Sequence, residues 1–89
     1  MNEEVEMSMQ IKVLGPGCVN CHRLRSNVDQ AVAELALDAN VESVEDVAEM
    51  LGYGIMASPA LVVDEQVAFV GRVPDVARLK DLLSARVPG

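Results

Sequence analysis

Aromatic and basic side chains are both scarce in this 89-residue chain. It has one Tyr, one Phe and no Trp, and its 7 Lys and Arg residues stand against 14 Asp and Glu residues, which makes the formal net charge −7. Nucleic-acid binding depends on cationic side chains that neutralise phosphates and, for single strands, on aromatic stacking. The composition therefore argues against a nucleic-acid partner.

The chain also has no long apolar run, and no targeting segment is visible in the sequence. No apolar run exceeds a few residues, whereas roughly 20 are needed to span a bilayer. The start, MNEEVEMSMQ, is acidic where a secretory signal would be basic and then apolar. We therefore expect no membrane partner and a cytoplasmic location. Two cysteines are also too few for a disulfide-stapled secreted scaffold.

Glycine and proline are few, 10 of 89 residues, while 51 % of the residues are hydrophobic, which favours a compact fold over disorder. The length leaves room for one core. Residues 1–8 lack periodicity and are expected to form a disordered acidic tail before a single domain at 9–89. All of the net charge lies in residues 1–50, and the seven acids from Asp29 to Glu49 have no base among them. That run fits either solvated helix and strand faces or a docking face for a basic partner.

Hydrophobic periodicity predicts the order β-α-β-α-β-β-α, an α/β fold with a mixed four-stranded sheet and helices on both faces. Gly15-Pro16-Gly17 ends the first strand, and Ser43-x-x-Asp46 is a weak capping signal for the second helix. Asp64-Glu65-Gln66 separates the two strands of a hairpin, and Asp75 can cap the last helix. The expected strands are 10–14, 40–44, 60–63 and 67–70, and the expected helices are 19–36, 45–51 and one that follows Asp75.

The pair in Cys18-Val19-Asn20-Cys21 lies where the first strand turns into the first helix. A helix N-terminus carries unpaired N–H groups and partial positive charge, which favours a thiolate, and His22, Arg23 and Arg25 add positive charge nearby. We therefore expect Cys18 to ionise below the free-thiol pKa of about 8.5. Residues i and i+3 of a helical turn also approach closely enough for a disulfide.

The two cysteines are not equivalent. Cys21 continues the apolar stripe of Leu24 and Val28 and should face inward, while Cys18 lies one turn earlier at the exposed tip. The pattern therefore predicts Cys18 as an attacking nucleophile and Cys21 as the resolving thiol of a thiol–disulfide oxidoreductase, with His22 as a neighbour that tunes the pair with pH.

Other interpretations of the pair stay open at this point. Both cysteines could be small buried hydrophobes, or the module could bind metal or act as a metallochaperone. Zinc or a shared cluster would then need a second copy, because a closed site takes four ligands and His22 is the only further Cys or His in the chain. Cys-x-x-Cys-His also matches a haem-attachment pattern. A redox-inactive binding domain is a further possibility.

The chain resembles the thioredoxin-like superfamily, and within it the small, glutaredoxin-sized redox-active disulfide proteins of archaea and bacteria. The residues that carry the resemblance are the Gly-Pro-Gly-Cys-Val-Asn-Cys-His segment at the helix start, Ser58-Pro59 before the apolar run 60–63, and the segment 71–74 before the last helix. The resemblance covers about residues 9 to 87. It implies a thioredoxin-like three-layer sandwich.

The resemblance also implies that Pro59 is a cis-proline facing the cysteines, although an average X-Pro bond is cis only about 5–6 % of the time. Ser58 would then offer its backbone to an extended substrate segment. It further implies a monomer without a cofactor other than the reversible disulfide. Its partners would be a disulfide-bearing protein or small thiol and an unidentified reductase.

The chain also differs from thioredoxin proper. Gly17 stands where thioredoxin has a Trp, Val-Asn replaces Gly-Pro between the cysteines, and the first strand has no acid to serve as a buried proton acceptor. The Tyr of a usual glutathione site is absent from the motif.

Overall fold

A computed structural model of the chain describes residues 9–17 and 19–86. The expected acidic tail at 1–8 and Cys18 therefore lie outside the described residues. The elements follow the predicted order. They are β1 (Met9–Leu14), α1 (Val19–Leu35), β2 (Ala39–Val44), α2 (Val47–Gly52), β3 (Ala60–Val63), β4 (Gln66–Val70) and α3 (Val76–Ser84).

The four strands form one mixed sheet in the order β2-β1-β3-β4. β1 runs parallel to β2 and antiparallel to β3, and β3 pairs antiparallel with β4. A helix separates the parallel strands β1 and β2, and a tight turn joins the antiparallel strands β3 and β4, as these two kinds of connection require. The predicted sheet is confirmed.

The alternation of β1 and β3 divides the core between the two faces of the sheet. On one face, Leu24 and Val28 of α1 and Leu79 and Leu83 of α3 are fully buried against Ile11 and its neighbours. Each such side chain contributes about 1.5–3 kcal/mol by leaving water. The other face packs a smaller cluster under α2, made of Leu14, Val44, Met50, Ile55, Ala60 and Val62. Helices therefore cover both faces, as predicted.

The start of α2 differs from the expectation. The N-cap is Asp46, whose Oδ1 accepts a hydrogen bond from the Ala48 N–H at 2.9 Å, and the helix begins at Val47 rather than at residue 45. Ser43 does not cap it, because this residue lies within β2 and its hydroxyl accepts a hydrogen bond from Arg25 at 2.7 Å. Asp75 caps α3 as predicted, through the Arg78 N–H at 2.9 Å.

The hairpin turn is also shorter than expected. Gln66 belongs to β4, and Asp64 and Glu65 alone form the turn, with φ of 49° and 70°. Two successive residues with positive φ give the turn whose twist matches a hairpin, so a glycine is not obligatory there. Asp64 also secures the first strand, since its Oδ1 accepts from the Gln10 N–H at 2.8 Å.

No helix in the described part of the chain is long and apolar enough to cross a membrane.

Candidate functional site

One row of paired residues crosses the sheet at the edge where β1 ends. Leu14 pairs with Val44 of β2 and with Ala60 of β3, which in turn pairs with Val70 of β4. The segments that continue from this row therefore meet at one edge of the domain. They are the turn 15–17, the residues 45–46 before α2, the loop 57–59 and the connection 71–75.

Cys21 lies in the first turn of α1, behind this edge. Its side chain is 6 % exposed and belongs to the core, so the expected inward orientation is confirmed. The residue is disulfide-bonded in the structure. Cys18, the expected nucleophile, lies outside the described residues.

Gly15 brings three segments of the site together. A Cβ at this position would overlap the Cys21 Sγ and would lie 3.5 Å from the Ser58 Cβ. The backbone of Gly15 is fixed by its N–H, which donates to the Val44 carbonyl at 2.9 Å. Only a residue without a side chain allows the end of β1 to approach the helix and the proline loop this closely.

The Ser58-Pro59 peptide bond is cis, the isomer that the resemblance implies rather than the one that average X-Pro statistics favour. Pro59 is buried and its carbonyl accepts from the Gly71 N–H at 2.7 Å, while Ser58 is exposed. Ser58 thus faces solvent, and its Cβ lies 3.5 Å from the Gly15 Cβ position that overlaps the Cys21 sulfur.

Arg25 does not contribute the positive charge that was expected of it near the cysteine motif. Arg25 points away from the motif, because its Nε donates to the Asp29 carboxylate at 3.1 Å and its Nη1 to Ser43. A guanidinium that is ion-paired four residues along the helix adds little net positive charge to a thiol. His22 and Arg23 are exposed on α1.

Glu45 is a residue that the sequence did not single out. Gly17, the residue before Cys18, has φ of 84°, which favours glycine, and the Glu45 Oε2 lies 3.4 Å from where a Cβ on Gly17 would be. No local pattern joins residue 45 to residue 17, because the contact depends on the parallel pairing of β1 and β2.

A lysine occupies the centre of the first strand, where the sequence has no acid. The Lys12 Nζ donates to the Tyr53 hydroxyl at 2.9 Å and to the Glu49 carboxylate at 3.1 Å, and Glu65 lies 3.9 Å away. The Tyr53 hydroxyl and then Glu49 raise the pKa of Lys12 above its usual range, against a smaller effect of burial. This ammonium is therefore charged throughout the neutral range.

Two hollows flank the loop that carries Pro59. The first, which we call the α2 groove, has a volume of about 210 Å³ and is mostly apolar. It is lined by Pro16, by Val47, Met50 and Leu51 of α2, and by residues 55–58. The second, of about 260 Å³, is lined by residues 72–75 and Arg78. The two hollows share no lining residue.

The metal-binding interpretation gains no support from the geometry. Within residues 9–17 and 19–86, no three His, Cys, Asp or Glu side chains gather in a way that could hold a metal ion.

A buried cysteine at a helix start, a cis-proline loop beside it and a β2-β1-β3-β4 sheet define a thioredoxin-like protein. The thioredoxin domain family matches residues 9–84, and the chain belongs to that family. It is similar to the thioredoxin of Methanothermobacter thermautotrophicus, with 38 % identity over 85 % of this chain and 99 % of the relative. The chain is also similar to a thioredoxin of Methanocaldococcus jannaschii, with 32 % identity over 96 % of this chain and 98 % of the relative.

A solved structure shows the same fold. The germline-specific thioredoxin Deadhead of Drosophila melanogaster superposes with a TM-score of 0.65 over 93 % of this chain and 85 % of the neighbour, at 16 % identity.

Proposed function

We propose that this protein is a thiol–disulfide oxidoreductase in which Cys18 attacks a substrate disulfide and Cys21 resolves the mixed disulfide. The observation that carries the proposal is Cys21 itself, which is disulfide-bonded, buried in the first turn of α1 and packed against Gly15, a residue that Ser58 of the cis-proline loop also approaches. The other cysteine of the chain is Cys18, and the proposal assigns it as the redox partner of Cys21.

The difference in burial supports the division of roles. Cys21 is 6 % exposed, so a bulky disulfide cannot reach its sulfur directly. Around it, Val19 at the start of α1 is 74 % exposed, and Pro16 and Ser58 are exposed as well, so this end of the helix is open to a substrate. A thiolate there gains from the partial positive charge of a 17-residue helix. Gly17, His22 and Arg23 would tune this thiolate.

The reaction balances without a cofactor. The Cys18 thiolate attacks one sulfur of the substrate disulfide, a mixed disulfide forms, and the leaving sulfur takes up a proton as a thiol. Cys21 then loses its proton and attacks the Cys18 sulfur, which releases the second substrate thiol and leaves a Cys18-Cys21 disulfide. Two electrons pass to the substrate, so a reductase or a dithiol must return two electrons for the next turnover. A reducing compartment such as the cytoplasm suits this direction.

Substrate alignment is assigned to the loop that carries Pro59. Ser58 is exposed next to a buried proline, and its Cβ lies 3.5 Å from where a Cβ on Gly15 would be. An extended substrate segment that pairs with the backbone of Ser58 would bring its disulfide over the cysteine pair, as in recognition by strand addition.

A trapping experiment tests the assignment. The Cys21→Ser variant lacks the resolving thiol, so incubation with a disulfide-bearing protein should accumulate a mixed disulfide through Cys18 that a dithiol reductant releases. The matched control is Cys18→Ser, which keeps a buried thiol at Cys21 and should trap nothing. Equal trapping by the two variants would reverse or remove the assigned roles, and no trapping by either would contradict the proposed activity.

A further inference from the structure

We propose that the α2 groove binds a cationic segment of the disulfide-bearing partner, one with Lys or Arg next to an apolar side chain. The inference rests on the proposed function and specifies its substrate class. Three features of the described residues support it: the exposed apolar lining of the groove, the carboxylates at its rim, and the separation of these carboxylates from the arginines on the opposite side of the site.

The lining of the α2 groove exposes side chains that a folded monomer normally buries. Met56 is 87 % exposed, and Val47 and Leu51 are each 56 % exposed. All three line one hollow that also includes Pro16 and Ser58, so the apolar surface is continuous with the cysteine and proline segments. A contiguous apolar patch beside a reaction site indicates a partner surface, and a flexible Met side chain can adapt to different apolar residues.

Glu45 and Asp46 form the acidic rim of this groove. Asp46 directly precedes Val47 of the lining, and the Glu45 carboxylate reaches Gly17, the neighbour of Pro16. Both are exposed, and the ion pairs of the described residues use other carboxylates, with Lys12, Arg25 and Lys80 as the cations. A partner that covers the groove therefore meets two carboxylates that no described cation neutralises.

Two arginines near the site lie on its other side. Arg72 and Arg78 line the second hollow, which follows Gly71 at the β4 end of the sheet edge, whereas Glu45 and Asp46 follow β2 at the opposite end. β1 and β3, which lead into the cysteine helix and out of the proline loop, lie between them. A segment in the α2 groove thus faces the acidic side, where a cation is favoured and an anion is repelled.

Three disulfide peptides test this inference. They share one intramolecular disulfide and one flanking Leu, and differ in having Lys, Gln or Glu next to that Leu. At low ionic strength we expect kcat/KM for reduction to fall in the order Lys, Gln, Glu, with about a tenfold span between the first and last. The span should shrink in high salt, because exposed charges are screened.

Matched double variants locate the effect. Glu45→Gln with Asp46→Asn removes two carboxylates while Asn can still cap α2, and it should bring the ratio of Lys-peptide to Gln-peptide rates close to one. The control, Asp38→Asn with Asp81→Asn, makes the same change in net charge, at the far end of β1 and on α3, and should keep the parent ratio. The Gln peptide normalises any effect of Glu45 on the reactivity of Cys18.

A second pair of variants tests the apolar part of the groove. Met56→Gln should lower kcat/KM for all three peptides several-fold, whereas Val67→Gln, a change at another exposed apolar residue on β4, should not. Equal rates for the three peptides, a preference for the Glu peptide, or a preference that survives loss of Glu45 and Asp46 would each overturn the inference while the oxidoreductase activity stands. Failure to reduce any of the peptides would instead contradict the proposed function and the inference with it.

Discussion

Replacing Gly15 with alanine would place a methyl group where the Cys21 sulfur lies. The ideal position of that methyl overlaps the Cys21 Sγ, lies 3.3 Å from the Cys21 Cβ and is 3.5 Å from the Ser58 Cβ. The backbone cannot easily retreat, because Gly15 is hydrogen-bonded to Val44 across the sheet. We therefore expect the Gly15→Ala variant to fold with a displaced helix start and a displaced proline loop.

The packing around Gly15 gives limits for the loss in free energy of unfolding that Gly15→Ala should cause. Inserting a methylene into a filled core typically costs about 1–3 kcal/mol. For a domain of this length, each kcal/mol lowers Tm by roughly 4–8 °C. The overlap is with a sulfur that a disulfide holds in place, whereas a free thiol can rotate to another rotamer. The loss of stability should therefore be larger for the oxidised protein than for the reduced protein. Each 1.4 kcal/mol of destabilisation that affects only the oxidised form raises the reduction potential of the cysteine pair by about 30 mV.

Urea unfolding of the oxidised and reduced proteins measures the loss of stability in each form. Equilibration against a dithiol buffer measures the shift in reduction potential. Gly52→Ala is the matched control, since Gly52 ends α2 and a Cβ there meets nothing within 4 Å. This change should leave stability equal or improve it by about 0.4–1 kcal/mol. The steric reasoning is refuted if Gly15→Ala is as stable as Gly52→Ala in both redox states, or if only the reduced form loses stability.

Three further predictions concern the polar contacts around the sheet. Lys12→Met should lower stability at neutral pH. Since folding raises the pKa of Lys12, the parent keeps this stabilisation in full below about pH 10.4 and loses it progressively as pH rises further, so the difference between thermal melts of the two proteins should be constant from neutral pH to about pH 10 and narrow above it. Asp64→Ala should cost about 1–2 kcal/mol in urea unfolding, because it loses the hydrogen bond to Gln10 and leaves alanine at positive φ, while Asp64→Asn should cost little. A full loss in Asp64→Asn would contradict this account. Lys80 and then Gln30 lower the pKa of Glu34, so Lys80→Met should reduce the melting temperature at neutral pH, and the difference should vanish as pH falls through the folded pKa of Glu34, below about 4.3. A difference that persists at pH 2 would exclude this ion pair as its source.

The helices and strands were predictable where the apolar spacing is regular. Leu24 and Val28 recur at helical intervals and are fully buried, and the run 60–63 became β3 with unchanged bounds. The errors fell at caps and turns. At the start of α2, two polar residues three positions apart suggested a cap, but Ser43 is held in β2 by pairing with β1.

The site was predictable in part. The burial of Cys21 could be predicted because this residue continues the apolar stripe that contains Leu24. Ser58 and Pro59 could be proposed as site residues because of the family resemblance. The predicted contribution of Arg25 to the positive charge near the cysteines was wrong. Its guanidinium binds Asp29 and Ser43 instead, and its position in the sequence did not indicate these contacts. The role of Gly15 was missed because its meaning lies in contacts with residues 21 and 58, which only packing brings together.

The sequence by itself determined the order of elements, the family resemblance, the cysteine spacing and the excess of acids in its first half, because these depend on local periodicity and composition. Only the tertiary structure decided which charges face the site. Parallel pairing of β1 with β2 carries Glu45 to Gly17, and the order β2-β1-β3-β4 keeps Arg72 and Arg78 on the far side. Electrostatic contacts depend on distance through space, and that distance is set by strand order rather than by position along the chain.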